Sequence, residues 1–343
     1  MKRIGNTLYV TTAESYLSLE GETVVIKKEE HKAIKLPLHN LDAIVCFNYP
    51  GVSPSLMGAC VERNIALTFL RPSGRFLARV TGRVKGNLLL RKKQFESVQD
   101  EKICLEVATS CLLGKIANCR VVVERTLRDH AMLVDAAALR EVSAFLKAVL
   151  LAIRKADCME TLRGLEGSAA KQYFRVFGEL VLKQKEDFPF RDRNRRPPRD
   201  NINALLSFFY SLLAYEVASA LETVGLDPQI GFLHVDRPGR PSLALDLMEE
   251  LRPVFADRLV LTLINRKQIR GKGFLKKESG SVLMNEETRK KVITAWQERK
   301  QEVIMHPYLK EKIPFGLIPQ IQAQLLARYL RGELDAYPPF FWR

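Results

Sequence analysis

Between Gln229 and Pro253 the chain reads QIGFLHVDRPGRPSLALDLMEELRP, a stretch rich in side chains able to hold a divalent cation. His234 interrupts a largely apolar run from Ile230 to Val235. The Pro238-Gly239-Arg240-Pro241 turn ends that run, because neither a strand nor a helix continues through it. Ser242 is the expected N-cap of a helix beginning near Leu243. On that helix Leu243, Leu247 and Leu251 form an apolar stripe, while Asp246, Glu249 and Glu250 share another side. A neutral imidazole ahead of a carboxylate cluster suits magnesium or manganese, and the lack of thiols in the stretch argues against structural zinc. The same residues equally describe a satisfied core histidine and a row of solvated acids. This stretch alone is suggestive and not specific.

Two further segments carry chemistry-bearing residues. In Leu162 to Phe174, LRGLEGSAAKQYF, Glu166 lies between Gly164 and Gly167 and precedes small Ser168, Ala169 and Ala170. Small residues would let a neighbouring helix approach and bring Glu166 near a facing element. Taken alone, an exposed glutamate on a glycine-broken helix is the simpler reading. Arg191 to Asp200, RDRNRRPPRD, is expected to be a solvated mobile loop, since its arginines and prolines do not pack as a regular element. Arg193, Arg195, Arg196 and Arg199 there are candidates to clamp DNA phosphates, tempered by Asp192 and Asp200. The triplets Arg91-Lys92-Lys93 and Arg289-Lys290-Lys291 are weaker basic clusters, expected to be solvated surface.

The elements that must position these residues fall into two kinds. Up to about residue 84 the chain is strand-like, with short runs at Thr7–Thr11, Tyr16–Leu19, Thr23–Lys27, Ala43–Phe47, Ile65–Leu70 and Phe76–Val80. One short helix is expected to start near Ser53. From about Lys85 apolar residues recur at helical spacing over Leu105–Val123, Thr126–Arg154, Met159–Lys183, Asn203–Val224, Leu243–Phe255 and Glu286–Val303. The fold class is therefore α+β, with a β-rich domain at 1–84 and a larger, mostly helical domain at 85–343. A length of 343 residues accommodates two domains at ~150 residues each. Lys and Arg number 54 against 39 Asp and Glu, a formal +15, which favours a polyanionic partner such as nucleic acid. The apolar run Ala204–Tyr215 is shorter than the ~18–20 residues of a bilayer span, so it reads as a core helix and no membrane partner is expected. MKRIGNTLYV has no apolar signal core, and Cys46, Cys60, Cys104, Cys111, Cys119 and Cys158 form no C-x-x-C pair. A reduced, cytoplasmic protein is expected.

Four ordered motifs then resemble a known family. They are G-x-E-G-x-x-A-x-x-Y-F from Gly164 and R-P-P-x-D-x-x-N-A-L-L-S-F-x-Y-x-L-L from Arg196. G-L-D-P-x-I-G-F-L-H from Gly225 and S-L-A-L-D-L-M-E-E-x-R-P from Ser242 follow. In this order and spacing they resemble the CRISPR-associated adaptation integrases, the larger subunit of the complex that inserts new spacers into CRISPR arrays. The match covers the helical part, and the β-rich N-terminus has the size and character expected of the family.

The resemblance implies a catalytic magnesium or manganese site formed by Glu166, His234 and Glu249, with glutamate at 249 where some members have aspartate. Asp246 matches a further acid near the metal, and Asn203 and Tyr173 match polar positions near the site. The implied reaction is transesterification, in which the 3′-hydroxyl ends of a double-stranded fragment join CRISPR repeat DNA, with endonuclease activity as its hydrolytic counterpart. The implied partners are a second copy of the chain, through the β-rich domain, and a small ferredoxin-like adaptation subunit. A stand-alone metal-dependent nuclease and a non-catalytic basic scaffold are the competing classes.

Overall fold

Short β-branched runs between polar turns build the first part of the chain as paired strands. The structure, a computed structural model, describes residues 6–12, 14–28, 31–82 and 88–342. The boundary expected at 84/85 lies outside the described residues. By its contacts the chain divides into two units. One is Met1–Lys85 with Glu286–Glu302 and Pro314–Leu317; the other is Gly86–Asn285 with Val303–Ile313 and Ile318–Arg343.

The first unit contains β1 (Thr7–Val10), β2 (Tyr16–Glu20), β3 (Thr23–Lys28), β4 (His31–Pro37), β5 (Ala43–Phe47) and β6 (Gly51–Val52). Helix α1 (Pro54–Glu62), β7 (Ala66–Leu70) and β8 (Phe76–Val80) follow. One sheet has the order β1-β5-β7-β8, the other β4-β3-β2-β6. Val10, Leu17, Val24, Ile44, Leu56 and Leu67 draw both sheets and α1 into one core. The start of α1 follows its sequence: Ser53 accepts the Leu56 amide, and Pro54 occupies the first turn. Strand β4 escapes the sequence pattern because HKAIKLP is an edge strand, with Ile34 exposed.

The second unit is mostly helical: α2 (Leu88–Ser97), α3 (Glu101–His130), α4 (Ala136–Ile153), α5 (Met159–Arg175), α6 (Asn201–Val224), α7 (Ser242–Glu249) and α8 (Arg258–Asn265). After them α9 (Glu286–Gln301) belongs to the first unit, where Gln297 donates to the Thr7 carbonyl, and α10 (Ile318–Leu330) returns to the second. The expected break between Val123 and Thr126 does not exist. Helix α3 runs through it to His130, and the chain breaks at Asp135, which caps α4 by accepting the Ala138 amide. The helix expected over Met159–Lys183 stops at Arg175 and gives way to a single tight turn, Phe177–Leu180.

The helix expected over Leu243–Phe255 also divides. Regular α-helix ends at Glu249, and Pro253–Asp257 forms a widened π-type turn before α8, since Pro253 has no amide to donate. By length and composition α6 is apolar enough to cross a membrane. Its Phe208, Phe209 and Leu213 are fully buried in the second unit, where α6 packs on α7 and α10. It is the helix around which this unit's core forms.

Candidate active site

The loop before α7 and the helix itself are tied together through one carboxylate. Asp246 is 1% exposed, and its Oδ2 accepts the amides of Phe232 and Leu233 at 2.6 and 2.9 Å. Its Oδ1 accepts the His234 amide at 2.9 Å and lies 2.6 Å from His234 Nδ1. With three amides already donating to its oxygens, Asp246 acts toward the ring as an acceptor, which fixes the proton on Nδ1 and leaves the Nε2 lone pair outward. Gly231 permits this closure, because a Cβ there would stand 2.8 Å from Asp246 Oδ2 and from Ser242. Ser242 is not the N-cap. It lies inside α7, behind Pro241, and its hydroxyl donates to the Val235 carbonyl.

Glu166 from α5, Glu249 from α7 and His234 from the preceding loop converge, and a lysine from α3 joins the two acids. The Lys115 ammonium hydrogen-bonds Glu166 Oε1 and lies 2.7 Å from Glu249 Oε2. His234 Nε2 is 3.8 Å from Glu249 Oε1, which also pairs with Arg252 Nη1 at 2.9 Å. Burial alone would push the Glu249 carboxyl up, but Arg252 and Lys115 outweigh it and hold the group at about 2. Burial likewise works against the Lys115 ammonium, and Glu249 and Glu166 hold its pKa above the usual range. Glu249 is thus a buried carboxylate held between two cations, Lys115 and Arg252.

The three acids expected on one helix side separate. Asp246 and Glu249 serve the cluster, whereas Glu250 is fully buried against the C-terminal segment and far from solvated. It accepts the Tyr337 hydroxyl at Oε1, the Phe340 amide at 2.6 Å and Gln322 Nε2 at 3.0 Å. Burial still pushes its carboxyl up to about 7. The glycines around Glu166 do not act as expected either. A Cβ at Gly164 or Gly167 would meet nothing within 4 Å, and α5 continues unbroken through both. Ala169, fully buried, is the small residue that packs.

Tyr173 lines a cavity with Lys115, whereas Asn203 belongs to the arginine loop. The Tyr173 hydroxyl donates to Asp257 Oδ2 at 3.0 Å, and the Tyr210 hydroxyl donates to Oδ1 at 2.7 Å. The guanidinium groups of Arg193 and Arg252 both lie over the Tyr210 ring, 5.3 and 5.1 Å from its centroid. Lys115, Tyr173, Arg195, Tyr210, Arg252 and Asp257 line a cavity of about 20 Å³, room for roughly one water molecule. Asn203 instead organises the arginine loop, accepting from Arg193 and the Asn194 amide and donating to the Asp192 carbonyl and Asp200. Residues 191–200 form no regular element, yet Arg193 is turned inward onto Asn203, Ser207 and Tyr210. Arg195, Arg196 and Arg199 are exposed.

By donor type the residues fit a divalent cation: two carboxylates, one imidazole nitrogen with a fixed outward lone pair, and an acceptor left short. Glu249 Oε2 is buried and makes no hydrogen bond of good geometry, despite its nearness to Lys115. As the side chains stand, no three His, Cys, Asp or Glu among the described residues form a ready ligand set, and Lys115 is shared between Glu166 and Glu249. Sequence reasoning missed Lys115, Arg252, Tyr210 and Asp257. The signal for Lys115 was a lone lysine within the apolar run CLLGKIANC, and Tyr210 and Arg252 lie inside the quoted motifs.

Together these features define a two-unit α+β protein whose helical unit gathers acids, an imidazole and cations from four separate segments. The profile described as CRISPR associated protein Cas1 matches residues 8–298. The chain belongs to the Cas1 family. It is 49% identical over 343 residues to the CRISPR-associated endonuclease Cas1 1 of Chlorobaculum tepidum, covering 100% of both chains. Its fold is similar to that of a casposase bound to integration product, with a TM-score of 0.85 and 20% identity over 98% of this chain and 94% of that one. A similar fold occurs in a Cas6-RT-Cas1–Cas2 complex, with a TM-score of 0.84 and 23% identity over 100% of this chain and 36% of that one.

Proposed function

We propose that the chain is a divalent-metal-dependent DNA integrase and endonuclease of CRISPR adaptation, with Glu166, His234 and Glu249 as its catalytic metal ligands. The observation that carries this reading is the convergence of those three side chains, from segments distant in sequence, on one buried charged centre. Family membership and a relative named as an endonuclease support the reaction class. The basic composition, +15 overall, supports a DNA substrate.

A magnesium or manganese ion held by these three residues would polarise a phosphoryl oxygen and activate the attacking oxygen. The chain's own contribution is positional and electrostatic. Asp246 keeps the His234 Nε2 lone pair pointed at the site, and Arg252 keeps Glu249 ionised. Arg195, Arg196 and Arg199 offer exposed donors to the DNA backbone, and sequence choice falls mainly to DNA shape and partners. In the joining step a 3′-hydroxyl oxygen bonds to a phosphodiester phosphorus in the repeat. The original P–O3′ bond breaks, and the departing oxygen takes up a proton as a new 3′-hydroxyl. With water as the nucleophile the same exchange is strand cleavage.

The proposed partners are double-stranded DNA with 3′-hydroxyl ends, CRISPR repeat DNA, a second copy through the β-rich unit and a small ferredoxin-like subunit of the Cas2 type. A fold neighbour in a complex titled with Cas2 supports the last. The test is a gel assay of the protein with that subunit, a short duplex with 3′-hydroxyl overhangs, a supercoiled repeat plasmid and magnesium or manganese. Joining at repeat ends that a 3′-blocked donor abolishes is the expected result. Nicking that ignores repeat and donor hydroxyl would replace the reading with a stand-alone nuclease. Tight DNA binding without chemistry would replace it with a scaffold.

A further inference from the structure

Lys115 occupies the position that a cation using Glu166 and Glu249 must share. Only 9% of its side chain is exposed, and its neighbours on α3, Cys111, Leu112, Ile116 and Cys119, are buried and apolar. A lysine is seldom buried unless paired, and here the pairing is double. Gly114 makes the placement possible. A Cβ at that position would stand 2.7 Å from Glu250 Cβ, so the glycine lets α3 lie against α7 and bring the next residue onto Glu249. With Arg252 on the far oxygen of Glu249, the two carboxylates Glu166 and Glu249 face two cations without any ion.

We propose that Lys115 is a built-in counter-cation of the metal site, holding Glu166 and Glu249 together and yielding their oxygens when a divalent cation binds. The inference rests on the metal reading given above. Two ionised carboxylates brought together without a cation repel each other, so the ammonium keeps the ligands gathered in the absence of metal. The same contact makes the lysine a competitor, because each oxygen given to the ion is one released from Nζ. Loading also adds two positive charges there and leaves a freed ammonium beside the cavity shared with Arg195 and Arg252. Metal and a DNA phosphate would therefore bind cooperatively.

The test is manganese binding, read without DNA by the electron paramagnetic resonance signal of free Mn²⁺, on wild type, Lys115→Met, Lys115→Gln and Glu166→Gln. Removing the competitor is expected to tighten Mn²⁺ binding by ~10-fold or more, equivalent to ~1.4 kcal/mol. Glu166→Gln is expected to weaken it. If folded lysine variants bind Mn²⁺ no more tightly than wild type while Glu166→Gln still weakens it, the counter-cation role is wrong and the metal site stands. If wild type and Glu166→Gln bind alike, both ideas fail. Should neither lysine variant fold, wild type decides. Acylation of the Lys115 amine, read by peptide mass spectrometry, is expected to rise when Mn²⁺ is added, and unchanged labelling overturns the proposal.

Discussion

Asp246→Asn perturbs the centre of the histidine-bearing loop while changing one atom. Four donors converge on the two Asp246 oxygens, two amides on Oδ2 and the His234 amide and ring nitrogen on Oδ1. Asparagine keeps one oxygen and turns the other into a donor. If its nitrogen replaces Oδ2, two buried amides lose their acceptor, at about 2–6 kcal/mol from ~1–3 kcal/mol each. If it replaces Oδ1, only the His234 amide is orphaned, at about 1–3 kcal/mol. The imidazole then accepts at Nδ1 and carries its proton on Nε2. The second arrangement costs less, so the variant is expected to fold with about 1–3 kcal/mol less stability and a histidine in the wrong tautomer for metal. Loss of such an orienting partner should weaken metal binding by ~10–100-fold. Urea unfolding followed by circular dichroism and Mn²⁺ titration of the same preparation measure both effects. A variant that unfolds at the wild-type urea concentration and binds Mn²⁺ as wild type does would refute the orienting role of Asp246.

Four further outcomes follow from the same structure. Burial first, offset in part by the Tyr210 and Tyr173 hydroxyls, raises the Asp257 carboxyl from 3.8 to about 6. That stabilising contribution is present below about pH 4 and is lost as pH rises through about 6, so wild type should lose ~3 kcal/mol relative to Asp257→Asn across this window. A pH-independent difference between their urea midpoints would contradict this. Gln322→Leu removes a donor from buried Glu250 and should cost ~1–3 kcal/mol in thermal unfolding, with an unchanged melting temperature counting against the network. Reversing Arg195, Arg196 and Arg199 together to glutamate should lower DNA affinity and flatten its salt dependence without changing stability, as read by fluorescence anisotropy across a salt series. Arg193→Ala, in contrast, should cost ~1–3 kcal/mol of stability, because its guanidinium binds Asn203 and Ser207 inside the fold.

Local signals made the β-rich start legible, because strands such as Ala43–Phe47 and the Ser53-Pro54 helix start announce themselves within a few residues. Helix boundaries were less so. The α3–α4 break depends on a cap at Asp135, and the end of α7 depends on Pro253 downstream of an unbroken apolar stripe. The return of α9 to the first unit is invisible to any reading along the chain, since contacts such as Gln297 to Thr7 span most of its length. At the site, Glu166, His234 and Glu249 were recognisable as ordered motif positions, but not from local physics. Of the small residues around Glu166 that suggested a close approach, Ala169 is buried while Gly164 and Gly167 face open space. Gly114 on α3 makes a close approach that the segment did not announce. Lys115 was hidden because a single lysine in an apolar helix gives no hint of which acids will meet it. The different fates of Asp246, Glu249 and Glu250 arise from partners elsewhere in the chain, as in the Asp246–His234, Glu249–Lys115 and Glu250–Phe340 pairs.

The central claim is that Glu166, His234 and Glu249 perform phosphoryl transfer rather than merely stabilise the helical unit. Its most direct test is DNA joining by Glu166→Gln, with DNA affinity in the absence of divalent metal and unfolding measured on the same sample. Glu166 is the most exposed of the three, so its replacement by glutamine is the least disturbing to the fold. The expected result is joining and cleavage reduced to background while affinity and cooperative unfolding stay at wild-type values. Joining at the wild-type rate, or activity and affinity falling together in a folded variant, would contradict the assignment.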